Sequence, residues 1–364
     1  MNKAYKFRIY PNVKQKELLA KTFGCVRFIY NKMLADKIEH YKNTGKKLNN
    51  TPAQYKKEFE WLKEVDSLAL SNAQLNLQKA YNNFFRLKEA GFPKFKSKKS
   101  NHKSYTTNYV NGNIKLIDGY IVLPKLGKIK IKQHRNIQAD YKLKSVTVSQ
   151  NPSGKYFISI LFEYNNVIIK KEPKVFLGLD YSMHELYVDS NGHKPCYPKY
   201  YRNAEKALKR EQKKLSKMQK GSKNHDKQRK RIAILHEKVA NQRKDFLHKL
   251  SRQIANVYDC VCVENLNMKA MSRSSNFGKS VHDNGWGMFT IYLKYKLENM
   301  GKQFVKIDKF FASSQICNVC GYKNTNIKNL SIRQWDCPSC GTHHNRDVNA
   351  AINIKNEGMR LINA

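Results

Sequence analysis

The chain has 364 residues, 40% of them hydrophobic, and sets 69 Lys and Arg against 28 Asp and Glu for a formal net charge of +41. That length holds two or three cored domains, and a positive surplus this large repels itself in a compact protein and calls for a polyanionic partner. A membrane is the lesser fit: no apolar run approaches the roughly 18 residues of a spanning helix, the N-terminus lacks a signal-peptide core, and the basic residues are spread along the chain rather than gathered on one amphipathic helix.

Tyr5, Phe7 and Ile9 alternate with Lys6 and Arg8, predicting a short strand that Pro11 ends. Helical periodicity then runs to about Leu87. Leu18, Leu19, Thr22, Val26, Ile29 and Met33 form one stripe, Tyr55, Phe59 and Leu62 a second, and Ala73, Leu77, Ala80 and Phe84 a third. Thr51 before Pro52 reads as the N-cap of the second helix. From Gly91 to Lys103 the chain is basic and rich in Gly, Ser and Asn. Lys94, Phe95 and Lys96 interleave cation and aromatic, which suits phosphate contact with base or sugar stacking, and equally suits a solvated loop.

Residues 104 to 167 are strand-rich. Asp118-Gly119 lies between two short apolar runs, a hairpin signal, and Asn151-Pro-Ser-Gly154 marks a second hairpin. Consecutive hairpins predict a small barrel, which the first strand would complete with the helices inserted between. From Lys174 the pattern becomes α/β. Val175 to Leu179 is an apolar run ending in Asp180, and Leu186 to Val188 is a second strand closed by Asp189-Ser-Asn-Gly192. A long basic helical pair follows, broken at Gly221-Ser222. Cys260 to Val263 is a strand ending in Glu264, Trp286 to Met300 a helix, Phe304 to Ile307 a strand, and a last helix opens at Asp347.

Three carboxylates therefore stand at strand ends or at a helix start: Asp180, Glu264 and Asp347. Ligands gather beyond the carboxyl ends of parallel-type strands. Three acids in one cleft repel each other, and divalent cations remove that cost. Mg²⁺ prefers oxygen ligands, and two such ions can clamp the attacking water and the leaving oxygen of a phosphodiester. Asp189 and Asp308 also follow strands, and both read as turn residues.

Cys317-Asn-Val-Cys320 and Cys337-Pro-Ser-Cys340, with 16 residues between them, give a four-thiolate site with no open position, hence one structural Zn²⁺. Gly321 and Gly341 follow each pair and suit the tight turn of a zinc knuckle. His343 and His344 are alternate ligands, but four cysteines already fill the shell, and polar contacts to nucleic acid or solvent exposure suit them better. Cys25, Cys196, Cys260 and Cys262 read as small core residues.

Gly178-Leu-Asp180-Tyr-Ser182, Val263-Glu-Asn-Leu266, Phe311-Ala-Ser-Ser-Gln-Ile-Cys-Asn-Val-Cys-Gly321, Trp335-Asp-Cys-Pro-Ser-Cys-Gly341 and Asn345-Arg-Asp-Val-Asn-Ala-Ala351, in this order, resemble the TnpB family of transposon-encoded, RNA-guided DNA endonucleases related to type V CRISPR effectors. Tyr5 to Pro11 and Gly91 to Lys96 resemble further family segments. The resemblance implies a multidomain α/β protein with a β-barrel. Residues 1–12 and 104–170 would form a wedge (oligonucleotide-binding-like) barrel. Residues 13–103 would be a helical recognition lobe, and 171–364 an RNase H-like (RuvC) nuclease domain with a zinc-ribbon insert at 311–346.

It implies Asp180, Glu264 and Asp347 as the catalytic, Mg²⁺-binding triad, and Arg333 as an arginine facing the active site. It implies a guide RNA from the transposon end and double-stranded target DNA as partners, cleavage beside a short protein-read motif, and a prokaryotic cytoplasm with access to the nucleoid as the location. Many relatives carry Asp where this chain has Asn345. The competing expectations are a catalytically inactive RNA-guided regulator and a transposase-type DNA-rearranging enzyme.

Overall fold

The computed structural model of the chain describes residues 1–99, 103–273, 278–329 and 331–363. Residues 100–102 of the basic stretch and residue 330 of the 311–346 segment lie outside them. The chain divides into two compact units, residues 1–166 and the residues from 167 onward.

In the first unit, β1 (Asn2–Tyr10) buries Tyr5, Phe7 and Ile9 as the alternation predicts. Asn12 then caps α1 (Val13–Thr44). The Gln15 amide donates to Asn12 Oδ1 at 2.9 Å and the Asn12 amide donates to Gln15 Oε1 at 3.0 Å, a reciprocal pair that satisfies two orphan donors. The expected second helix shrinks to one turn, α2 (Tyr55–Glu58), followed by a 3-10 turn at Glu60–Glu64. Thr51 is not its cap: its amide instead donates to Gln54 Oε1 at 3.1 Å. Phe59, at φ −117° and ψ 80°, leaves helical space to pack edge-on against Phe28 at 4.8 Å between ring centres. Tertiary packing overrides the helical period there. α3 (Ser67–Arg86) is capped by Asp66, which accepts from the Leu68 amide at 3.0 Å.

Six further strands follow in this unit: β2 (Lys103–Asn108), β3 (Lys115–Ile117), β4 (Tyr120–Leu123), β5 (Gly127–Lys132), β6 (Lys142–Gln150) and β7 (Tyr156–Glu163). The two hairpins pair as the turns predict, Lys115 with Val122 and Gln150 with Tyr156. The sheet order is β2-β6-β7-β1-β5-β4-β3. β1 thus completes this half-barrel from its middle, between β7 and β5. Ile158, Ile160 and Val148 of the sheet share one core with Leu19, Ile29, Leu70 and Leu77 of the helices.

The second unit opens with β8 (Phe176–Ser182) and β9 (Leu186–Asp189). It continues through α4 (Tyr200–Ser216), α5 (Lys223–Val257), β10 (Cys260–Glu264), α6 (Met268–Arg273), α7 (Gly278–Asn284), α8 (Trp286–Glu298) and β11 (Gln303–Ile307). The strands β12 (Gln334–Asp336) and β13 (His343–Asn345) precede α9 (Arg346–Asn363). Ser222 caps α5 through the His225 amide at 3.1 Å, after Gly221 at φ 86°. The main sheet runs β11-β10-β8-β9, with β9 antiparallel and the others parallel.

The sheet is covered on both faces. Leu177, Leu179, Val261 and Val263 pack with Leu247 and Ile254 of α5 and with Phe289, Leu293 and Leu297 of α8. Each such fully buried side chain contributes roughly 1.5–3 kcal/mol. Phe176, Cys260, Cys262 and Ile307 face Ile354 and Ile362 of α9. Cys25 is buried too, but Cys196 is exposed, on a stretch with neither helix nor strand to bury it. Among the described residues no helix is long and apolar enough to cross a membrane.

Candidate active site and metal centre

β8 and β10 run in parallel register, Gly178 beside Cys262 and Leu179 beside Val263. Asp180 and Glu264 are the next residues on these neighbouring strands. The two-residue period puts both on the face that α9 covers. Gly178 lets the helix backbone down onto β8: a Cβ there would collide with the Ala351 carbonyl oxygen and come within 2.8 Å of the Lys355 amide nitrogen. Gly358 does the same over β10, where a Cβ would collide with Cys262 Sγ and lie 2.8 Å from its Cβ.

This seating brings the first turn of α9, and with it Asp347, within charge range of Asp180. The Asp180 carboxyl is pushed well above the usual carboxylate range, first by burial and then by the charges of Glu264 and Asp347; Arg346 opposes them. Glu264 is also raised by burial, against a hydroxyl that Ser313 donates to its Oε1 at 2.5 Å. A buried carboxyl raised further by the charges of two other acids suits a donor set for hard cations.

Asn345 sits at the mouth of α9. Its Oδ1 accepts from the Asp347 and Val348 amides, both at 3.2 Å, so the residue that replaces an acid serves as the helix cap. Arg333 Nη1 lies 3.4 Å from Asp347 Oδ1 with 63% of its side chain exposed. Its carbonyl accepts from the Arg346 amide at 2.9 Å, which fixes β12 and β13 to the start of the helix.

The four cysteines converge, their sulfurs all within 4.8 Å of one another. Cys317 Sγ is 3.7 Å from Cys340 Sγ, and Cys320 Sγ is 3.5 Å from Cys337 Sγ. A tetrahedral ion with bonds of about 2.3 Å spaces sulfurs by close to these distances. Gly321 at φ 77° and Gly341 at φ 70° turn the chain back, their amides donating to Cys317 and Cys337 carbonyls at 2.9 Å. Thr342 pulls the Cys340 thiol down to about 6, while burial pushes Cys317 up to about 11. A divalent ion bound there would hold all four as thiolates.

His344 is not turned to solvent or to a partner. It is 6% exposed, packs on Trp335 at 4.7 Å, and places Nε2 3.1 Å from Cys317 Sγ, because the β12–β13 pairing directs it inward. His343 is exposed and pairs through Nδ1 with Asp336 Oδ1 at 2.7 Å. Asp189 accepts from the Asn191 and His193 amides at 2.9 Å, and Asp308 from the Phe310 amide at 2.7 Å. Both side chains close turns, Asp189 from the end of β9 and Asp308 just past β11.

In the first unit, Lys94 and Phe95 are exposed. Lys96 is held: its backbone amide donates to Asn31 Oδ1 at 2.8 Å, its carbonyl accepts from Asn31 Nδ2 at 2.9 Å, and its ammonium lies 4.0 Å over the Tyr30 ring. The basic stretch is therefore pinned to α1 at this point.

Sequence reasoning missed Ser313, Asn349 and Asn353. Asn349 Nδ2 donates to the Ile316 carbonyl at 2.7 Å, and Asn353 Nδ2 donates to the Ser313 and Ile316 carbonyls at 2.8 and 2.6 Å. The available signal was two amides four residues apart on the face of α9 that also carries Ala350, Ile354 and Gly358, a face that packing alone would make apolar.

Three family profiles match: "Probable transposase" over residues 159–275, "Cas12f1-like, TNB domain" over 286–354, and "Helix-turn-helix domain" over 1–46. The last falls on a strand followed by one long helix. A "Putative RNA-guided DNA endonuclease" of Streptomyces pristinaespiralis is 31% identical, with 99% of this chain and 90% of that protein covered. "Putative RNA-guided DNA endonuclease InsQ" of Escherichia coli K12 is 32% identical over 99% and 93%. In fold, the chain is similar to the protein of a Cas12f1–sgRNA–target DNA complex, with a TM-score of 0.64, 14% identity and 98% of both chains covered. With relatives matched over nearly their whole length, the chain belongs to the TnpB family of transposon-encoded, RNA-guided DNA endonucleases.

Proposed function

We propose that this protein is an RNA-guided DNA endonuclease in which Asp180, Glu264 and Asp347 hold Mg²⁺ for phosphodiester hydrolysis. The observation that carries the reading is that carboxylates from a strand, its neighbour and a helix start come within reach of one another's charge at Asp180, which burial first and then Glu264 and Asp347 displace upward. Acids gathered at such a cost in a chain of +41 suit cation-assisted work on a polyanion. Bound Mg²⁺ supplies charge neutralisation at the reacting phosphate and lowers the pKa of attacking water.

The chain's own residues do the rest. Neighbouring strand ends carry Asp180 and Glu264, and the seated helix would supply Asp347 as the third ligand. Arg333, exposed beside Asp347, is placed to meet a phosphate oxygen. The four cysteines would hold one structural Zn²⁺, closing a module that leads directly into α9. The names of the relatives support guide RNA and target DNA as partners. Lys94, Phe95 and Lys96 would contact nucleic acid, and a short protein-read motif beside the target would divide the reading with guide pairing.

The test is cleavage of matched plasmid DNA by the purified protein–guide RNA complex with Mg²⁺. Asp180→Ala should bind the target and leave it intact. Cutting by that variant at the wild-type rate would overturn the site. The profile described as a transposase favours a second reading, and joined strand-transfer products from a donor plasmid would select it.

A further inference from the structure

Glu264 ends a strand and Asp347 begins a helix more distant in sequence. Two carboxylates serving one small site need relative placement within about 0.5 Å, and neither element alone sets the rotamer of Glu264. Among the described residues a chain of hydrogen bonds spans the gap. Ser313 Oγ donates to Glu264 Oε1 at 2.5 Å, and the Ser313 carbonyl accepts from Asn353 Nδ2 at 2.8 Å. Asn353 lies on α9, the helix that carries Asp347. One turn earlier on the same face, Asn349 receives the Asn318 amide at 3.0 Å on Oδ1.

Ser313 and Asn353 are each 5% exposed and Asn349 is 2% exposed. Buried amides are costly without partners, and apolar residues would seat a helix at less cost. Their placement is better explained by direction than by packing. We infer that Ser313 and Asn353 form a positioning strut, in which Ser313 orients the Glu264 carboxylate and Asn353 ties Ser313 to the helix bearing Asp347. The inference rests on the reading of the three acids as a metal-binding site.

Mn²⁺ titration of the purified full-length protein, followed by the electron paramagnetic resonance of the free ion, tests it without reference to cleavage. Ser313→Ala should weaken Mn²⁺ binding about 10-fold, the size expected when a ligand loses its orienting partner, with a melting temperature close to wild type. Ser313→Thr, which keeps the hydroxyl, should restore most of the affinity. Asn353→Ala should weaken binding, and the double variant Ser313→Ala with Asn353→Ala should lose less than the two single losses combined.

Wild-type Mn²⁺ affinity in Ser313→Ala, equal losses in Ser313→Ala and Ser313→Thr, or simple additivity would each overturn the strut. Glu264→Gln separates the two claims. If it loses Mn²⁺ while Ser313→Ala does not, the strut alone fails. If Glu264→Gln binds Mn²⁺ as tightly as wild type, the acid site fails and the strut with it.

Discussion

Gly178 stands against the carbonyl oxygen of Ala351 with no space for a side chain between strand and helix. The obstructing atoms are backbone, which cannot swing aside. Gly178→Ala should therefore lift α9 or bend β8, destabilising the second unit by about 3 kcal/mol, the upper part of the range for overpacked cores. Cleavage should fall more steeply than stability, because Asp347 travels with the helix. Thermal denaturation and cleavage rates, measured on the same preparation, check both.

The raised Asp180 carboxyl has a consequence for the metal-free protein. Its folded pKa lies above that of the unfolded chain, so the folded state keeps the proton to higher pH. Between the ordinary carboxylate range near about 4 and the raised folded value, stability falls as pH rises. Asp180→Asn should remove that slope and stabilise metal-free protein at neutral pH, while abolishing cleavage. Melting curves of both proteins in chelator from pH 4 to pH 8 provide the comparison. Parallel curves would argue that the three acids do not interact.

The strands, the acids and the cysteine pairs were legible because each has a local signature. An apolar run of Val261 to Val263 ends abruptly in Glu264, and two Cys-X-X-Cys pairs are each followed by Gly. What stayed hidden depends on partners far away. Phe59 left its helical stripe for Phe28, and β1 took the centre of its sheet because β5 and β7 flank it. Ser313 stood only inside a family-like segment, and its role depends on Glu264, 49 residues away, whose carboxylate it meets. His344 looked free because four cysteines filled the shell, yet the pairing of Trp335 with His344 carries it inward.

Metal removal should act on one segment first. Cys337→Ser is expected to lose the bound Zn²⁺, with wild-type protein carrying one equivalent by metal analysis, and to speed amide exchange across residues 331–350. The amides of β8 and β10 should stay protected, since their core does not include the knuckles. Uniform loss of protection over the whole second unit would show that the cysteine module does more than deliver α9.

Asn345 should accept an acid but not an apolar residue. Asn345→Asp keeps an acceptor for the Asp347 and Val348 amides and favours the positive end of the helix, so stability should hold. Asn345→Ala strands both amides and should cost about 1 kcal/mol, with reduced cleavage. Melting temperatures and cleavage rates of the pair distinguish a cap from a fourth acid: a gain in metal affinity for Asn345→Asp would favour the latter.

The order of elements along the chain also sets a schedule for synthesis. A ribosome releases β8 and β10 with Asp180 and Glu264 long before α9 emerges, and the cysteine knuckles come between. A nascent chain at that stage has a sheet with one face bare, the face of Cys260, Cys262 and Ile307 that Ile354 later covers. Asp347, the third acid of the proposed site, therefore arrives last, when the helix drops onto Gly178. Chains that stall earlier keep that apolar face bare and lack Asp347.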